Sequence, residues 1–292
     1  MNNKEQQNIQ SEKTLTEIFK YNAEAGASEY HVMIHSTKPE DTYEEQLNAV
    51  LNTYDNLLAK ELKGGVAVFK RYFLSDAANQ ADTLLALTTE GSDCALSIVE
   101  QPPLDGTKIA LWVYLQTDIQ TQVLHNGLFE VKHGAYRHLW AGSAFNRAAN
   151  SEYQTRLLLN DYVMQLMEQG CRLADHCIRT WFFVQNVDVN YAGVVKARNE
   201  VFVTQNLTEK THYISSTGIG GRHADPKVLV QMDTYAIAGV KPEQIHFLYA
   251  PTHLNPTYEY GVGFERGTYV DYGDRRQVFI SGTASINNKG EV

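Results

Sequence analysis

The chain has 292 residues, 43% of them hydrophobic and 20% charged, the balance of a globular protein of two or three modules. A formal charge of −9 argues against a broad phosphate-binding surface, so nucleic acid is not an expected partner. Cys94, Cys171 and Cys177 form no CxxC pair, no apolar run is long enough to cross a bilayer, and the polar start lacks the apolar stretch of a signal peptide; a cytoplasmic protein with reduced thiols and no membrane partner is expected.

Residues 1–13 are polar and are expected to fray. A short helix is predicted over residues 15–25, then an alternating strand over residues 30–35. Asp41 or Thr42 opens a helix whose early acids Glu44 and Glu45 suit the positive end of its dipole, and Leu47, Val50, Leu51, Tyr54, Leu57 and Leu58 give it one apolar face. Strands are predicted over residues 66–74, 94–99 and 109–115. A strand over residues 139–144, ending on Gly142-Ser143, leads to a helix over residues 154–170 with Leu157, Leu158, Tyr162, Leu166 and Met167 on its apolar side. A strand (178–184), a helix (189–203), a Gly- and hydroxyl-rich stretch (215–222) and a closing strand (227–237) follow. The last apolar run, residues 278–286, reads as a strand that breaks onto Ser281-Gly282-Thr283.

This order contains a repeat. Gln46, Asn52, Tyr54 and Leu58 fall on Gln154, Asn160, Tyr162 and Leu166 at a constant spacing of 108 residues, and Tyr72-Phe73 falls on Trp181-Phe182 at 109. So long a period indicates duplicated domains rather than a solenoid. Gly127-Leu128-Phe129-Glu130 followed by Ala141-Gly142-Ser143-Ala144 is echoed by Gly263-Phe264-Glu265 followed by Ser281-Gly282-Thr283-Ala284, as if a third copy began without its helices. Modules are therefore expected over residues 14–117, 123–239 and 241–292, the last incomplete.

A strand ending on Ser-Gly-Thr, a helix that opens on Gln and carries Asn-x-x-x-x-Leu, an aromatic strand, a second helix and an edge strand together resemble the Rid (YjgF-like) superfamily. The middle copy matches over its length, the first more loosely, and the third only at its start. The resemblance implies an α+β fold of tandem modules, each a mixed sheet covered by two helices, arranged as a pseudo-trimer with ligand clefts between modules, or completed by self-association. The phrases Phe279-Ile280-Ser281-Gly282-Thr283-Ala284-Ser285-Ile286 and Ser215-Ser216-Thr217-Gly218-Ile219-Gly220-Gly221 also look like the chorismatase branch, whose members hydrolyse chorismate.

Deaminases of this superfamily hydrolyse reactive imine or enamine acids. Such a site needs a fixed cation for the substrate carboxylate, for which Arg is suited, and an acid that positions or activates water. Aligned without gaps, the middle copy has Ser215 in place of the family's Arg and Asp233 near the acid's position, so it departs from the deaminase pattern; the first copy does too. The resemblance leaves Asp233 and Glu265 as candidate catalytic acids. Phe264, Arg266, Ser281, Gly282, Thr283, Ser215, Ser216 and Thr217 are the candidate substrate-binding residues. Each has a plainer reading: Arg266 as solvated surface, Ser281-Gly282-Thr283 as a strand-ending turn, and Asp233 as a solubilising charge on an edge strand.

Residues 215–222 lack the GxxxxGK[ST] order of a phosphate loop. The eight histidines from His125 to His253 form no HxxxH or HExxH set and no GxSxG elbow is present, so neither metal, cofactor nor serine triad is implied. The leading expectation is hydrolysis of a small imine or enamine carboxylic acid. Chorismatase-like hydrolysis and catalytically silent binding of a small carboxylate-bearing metabolite are the alternatives.

Overall fold

The computed structural model describes residues 4–24, 27–88, 94–283 and 286–291. The chain divides into two compact units: residues 1–133 with 140–143 and 222–226, and residues 134–139 with 144–221 and 227–292.

In the first unit the elements are β1 (Lys4–Gln10), β2 (Thr14–Asn22), β3 (Ser28–Ser36), α1 (Tyr43–Lys60), β4 (Val66–Leu74), α2 (Ala77–Leu87), β5 (Ala95–Glu100) and β6 (Ile109–Gln116). A hairpin of β7 (Gln120–Val123) and β8 (Phe129–His133) follows. The strand order is β1-β2-β3-β6-β4-β5. Only β4 and β5 of this sheet run parallel, and α2 makes the crossover that a parallel pair requires. Thr42 caps α1 through a reciprocal box in which its hydroxyl accepts from the Glu45 N–H while the Glu45 carboxylate accepts from the Thr42 N–H. Leu47, Val50, Tyr54 and Leu57 of α1 are buried in one core with Val32, Ile34, Leu111 and Val113 of the sheet.

Three expectations fail in this unit. Residues 14–22 form a strand, not a helix: Thr14, Thr16 and Ile18 are buried in alternation, the period of a strand, and Thr and Ile favour that backbone. The polar start does not fray over residues 4–10, because β1 pairs along its whole length with residues 15–21 of β2. The third is one of placement: the resemblance implies a second covering helix, but no residues were assigned to α2. It is a single 11-residue segment whose Asp76 cap and buried Ala77, Ala81 and Leu84 give only a faint helical stripe.

The second unit contains β9 (Tyr136–Phe145, of which residues 140–143 fall in the first unit), α3 (Ser151–Glu168), the single turn α4 (Leu173–His176), β10 (Cys177–Val184), α5 (Val187–Thr204), β11 (Ser215–Gly220) and β12 (Val230–Ala238). Its strand order β9-β12-β10-β11 repeats β3-β6-β4-β5, again with the last pair parallel. Gln46 and Gln154 show why the repeat kept its glutamine. The buried Gln46 amide donates to the carbonyls of Lys38 and Asp41 and accepts from the Lys108 N–H just before β6. Gln154 donates to Ala148 and Lys227 and accepts from Leu229 and Val230 at the start of β12. Each side chain ties the segment before its helix to the closing strand. The chain is thus a mixed α+β protein of tandem modules.

Helix α3 buries Gln154, Thr155, Leu158, Leu159, Tyr162 and Leu166, whereas Leu157 and Met167, expected on that face, are exposed. The expected strand end at Gly142-Ser143 lies inside β9, where Ser143 takes φ +53° without breaking the strand. Residues 215–220, to which the sequence pattern assigned no element, form β11. Residues 241–292 hold a three-stranded antiparallel sheet of β13 (Ile245–Leu248), β14 (Gly267–Asp271) and β15 (Arg276–Ile280). The expected strand over residues 278–286 stops at Ile280, and Ala284 and Ser285 lie outside the described residues. No helix among the described residues is long and apolar enough to cross a membrane.

Candidate anion-binding site

Helix α5 carries an arginine in its apolar stripe. Val194, Ala197, Arg198, Val201 and Phe202 are its buried residues, and Arg198 is 1% exposed. Its Nε and Nη2 have no hydrogen-bond partner among the described residues. Burial lowers its pKa from the usual guanidinium value, against the opposing effect of the Tyr191 and Tyr260 phenols. A buried guanidinium with unpaired N–H groups costs several kcal/mol, on the order of what a bound anion offsets.

Arg198 lines a 380 Å³ cavity together with Tyr191, Ser216, Thr217, Gly218, Ile219, Tyr260, Val262, Phe264, Gly282 and Thr283. Gly218 is there because a Cβ at its position would lie 2.3 Å from the Tyr191 ring, so only glycine lets that phenol close over β11. The far wall is fixed to α5 by Asn199, which donates to the Gly261 carbonyl at 2.8 Å and accepts from the Gly263 N–H at 3.3 Å. That clamp holds Tyr260 and Val262 at the cavity.

The floor is a hydroxyl network. Thr217 Oγ1 accepts from the Gly282 N–H at 2.8 Å and from Arg179 Nη2, so its own proton is left to donate. Ser216 Oγ accepts from Thr180 at 2.8 Å. Ser281 Oγ accepts from the Ser216 N–H at 2.9 Å and donates to the Glu265 carbonyl. A Cβ on Gly282 would lie 2.7 Å from Thr217 Cγ2. The Ser-Gly-Thr turn therefore packs against β11 and contributes Gly282 and Thr283 to the cavity lining.

Five of the candidate residues meet here: Phe264, Ser216, Thr217, Gly282 and Thr283. Ser281 and Ser215 are buried behind them, Ser215 sharing a 2.6 Å hydrogen bond with Thr268. Arg266 is not solvated surface. It is 8% exposed, donates to the Asn255 carbonyl at 2.8 Å and to Thr283 at 3.3 Å, and leaves its Nε unpaired. Asp233 is not on an edge strand: β12 lies between β9 and β10, Asp233 is fully buried opposite Trp181, and it lines neither this cavity nor its neighbour. Glu265 lines a second, 230 Å³ cavity, shares Phe264 with the first, and has its pKa raised by burial against the lowering effect of the Tyr213 N–H and His212. No group of three or more His, Cys, Asp or Glu side chains among the described residues could hold a metal ion.

Sequence reasoning missed Arg198, Tyr191 and Tyr260. Arg198 was legible as a charge one turn from Val194 and one turn from Val201 and Phe202 on an otherwise apolar stripe. The tyrosines carried no such signal, since they reach the cavity from opposite walls.

No protein-family model and no curated protein sequence matches the chain. Among solved structures it is similar to a chorismatase, with 17% identity and a TM-score of 0.54 over 78% of this chain and 65% of that one, so it spans less than two thirds of that protein's length. It is also similar to a Mycobacterium tuberculosis member of the YjgF/YER057c/UK114 family (19% identity, TM-score 0.30, 37% of this chain and 84% of that one) and to a YjgF-family protein of Neisseria meningitidis (16%, 0.33, 41% and 94%). At 17% identity the likeness to the chorismatase is one of fold, and the fold shared is a mixed α+β one.

Proposed function

We propose that the second unit binds a small carboxylate-bearing metabolite in the Arg198 cavity and hydrolyses it in the manner of a chorismatase. The observation that carries this is the buried Arg198 guanidinium, with two unpaired nitrogens, on the wall of a 380 Å³ cavity floored by hydroxyls. A carboxylate placed there gains a charge-assisted pair from Arg198 and a hydrogen bond from Thr217.

Size and lining favour a ring-bearing acid over the imine or enamine acid expected from sequence. A three- or four-carbon imine acid leaves most of this volume empty, whereas Tyr191, Tyr260, Phe264, Ile219 and Val262 offer an apolar wall to a ring. The chorismatase-like fold supports the same choice. Hydrolysis of an enol ether needs a proton donor. The groups on this wall able to give one are phenols and hydroxyls, and Tyr260 is held in its protonated form by burial. That no carboxylate lines the cavity among the described residues favours a second reading, binding without turnover.

The test is to incubate the protein with chorismate and, separately, with a freshly generated imine acid, and to assay pyruvate and ammonia. Pyruvate from chorismate, lost in Arg198→Met, supports the proposal. Ammonia alone supports the deaminase reading. Saturable chorismate binding without either product supports the silent one, and no binding in wild type overturns all three for this cavity.

A further inference from the structure

The neighbouring 230 Å³ cavity has the opposite chemical character. Its lining includes Glu209, Tyr213, Tyr249, Tyr258, Phe264 and Glu265. Glu265 is 5% exposed; its Oε1 accepts from the Tyr213 N–H at 2.8 Å, and its Oε2 has no hydrogen-bond partner among the described residues. A largely buried carboxyl with one oxygen open can take a donor or a cation from the cavity it lines.

The two basic side chains on this wall do not supply it. Arg266 sends its Nη atoms to Asn255 and Thr283, and its guanidinium lies 5.4 Å over the Phe264 ring. His212 turns Nδ1 to the Tyr213 carbonyl at 2.8 Å and stacks on Phe247 with centroids 4.4 Å apart. Meanwhile Tyr249 is 67% exposed and Tyr258 46% exposed, so burial of their own rings does not explain phenols gathered around a buried acid. Besides burial, Glu209 and Glu265 raise the pKa of Tyr213, and Glu265 that of Tyr249, which places both rings within the field of the carboxylates.

We infer that this cavity is a second ligand site, distinct from the Arg198 cavity, that takes a small organic ammonium ion between the Glu265 carboxylate and the rings of Tyr213, Tyr249 and Tyr258. An aromatic ring attracts a cation through its quadrupole, and a carboxylate out of water strengthens the attraction. Rings cannot replace a tightly held hydration shell. The site therefore selects alkylammonium ions, which are weakly hydrated, over an alkali cation of the same charge.

The experiment titrates the full chain with tetramethylammonium chloride and with ethylammonium chloride, following tyrosine fluorescence and heat, with potassium chloride as the ionic-strength control. The expected result is saturable binding of at least one organic ion and none of potassium. Glu265→Gln keeps an acceptor for the Tyr213 N–H but removes the charge, and is expected to weaken binding tenfold or more. Tyr249→Ala, at an exposed position that leaves the fold intact, is expected to weaken it severalfold, and Tyr249→Phe to preserve it. Responses to the organic ions that match potassium overturn the site, as do wild-type affinities in both Glu265→Gln and Tyr249→Ala.

Discussion

Two glycine-bearing turns in this chain do the same mechanical job with different results. In the first unit Gly142-Ser143 packs on β5: Ser143 Oγ accepts from the Ile98 N–H at 2.9 Å, and a Cβ on Gly142 would lie 2.3 Å from the Leu96 carbonyl oxygen. In the second, Ser281-Gly282 packs on β11 with the same serine-to-backbone bond, Ser216 N–H to Ser281 Oγ, also at 2.9 Å. Beside the first turn the residues are aromatic and apolar. Trp140 packs against Phe69 and Tyr114, with centroids 5.4 and 5.8 Å away, and β5 is the apolar run Ala95-Leu96-Ser97-Ile98-Val99. Around the second, β11 is Ser215-Ser216-Thr217-Gly218, α5 supplies Arg198 instead of another apolar side chain, and a cavity remains. One architecture therefore carries aromatic and apolar residues in one place and a polar cavity in the other. The residues on the edge strand and second helix decide which.

The sharpest way to break this comparison is to add one methyl group at each turn. Gly142→Ala drives a Cβ into backbone, which cannot rotate away, and is expected to cost about 3 kcal/mol. Gly282→Ala meets the Thr217 methyl, which can shift, and is expected to cost about 1 kcal/mol. Urea unfolding of both variants checks the order; equal costs would mean that the second turn is as tightly packed as the first. Next come the two glutamines. Gln46→Leu and Gln154→Leu each strand backbone groups at the start of the closing strand, and each is expected to cost about 2 kcal/mol in the same assay. If only one destabilises, the repeat is geometric and not energetic.

Arg198→Met separates a ligand-binding role from a structural one by its sign. Replacing a buried, unpaired guanidinium by an apolar side chain of similar length is expected to leave stability unchanged or raise it by about 1 kcal/mol, while chorismate binding is lost. Marked destabilisation, read by thermal melting, would make Arg198 part of the scaffold.

Much of the fold was legible because the repeat reports on itself. The glutamines, the buried tyrosines Tyr54 and Tyr162, and the strands β4 and β10 recur at nearly one spacing, since each copy solves the same packing problem. Residues 14–22 misled because Leu15, Ile18 and Phe19 also fit a helical stripe; pairing with both β1 and β3 settled the backbone as strand. Residues 215–220 gave no strand signal because serine and glycine favour turns, yet parallel pairing with β10 overrides that preference. Of the site, the hydroxyl floor and the Ser-Gly-Thr turn could be read from local phrases. Arg198 could not be read from alignment to the family's strand arginine, because it comes from a helix.

The smallest expected effect concerns Glu265, whose cavity has no counterpart described in the first unit. Burial, outweighing the Tyr213 N–H and His212, holds its folded pKa above the ordinary carboxylate value of 4.5. Between that value and the raised one, the folded state keeps a proton that the unfolded state has released. Stability therefore falls as pH rises through this window and is regained on acidification. Other carboxylates, among them Asp271 and Glu152, are lowered by hydrogen bonds and basic neighbours; they titrate below this window, and their contributions have the opposite sign. The informative quantity is thus the difference between wild type and Glu265→Gln, measured by urea unfolding from pH 4 to pH 7. The variant is expected to gain on wild type steadily as pH rises and then level off. A tetramethylammonium ion bound beside the carboxylate favours its charged form, so a saturating concentration is expected to shift that rise to lower pH. A difference curve that is flat with and without the ion would show that Glu265 titrates alike in the folded and unfolded chain.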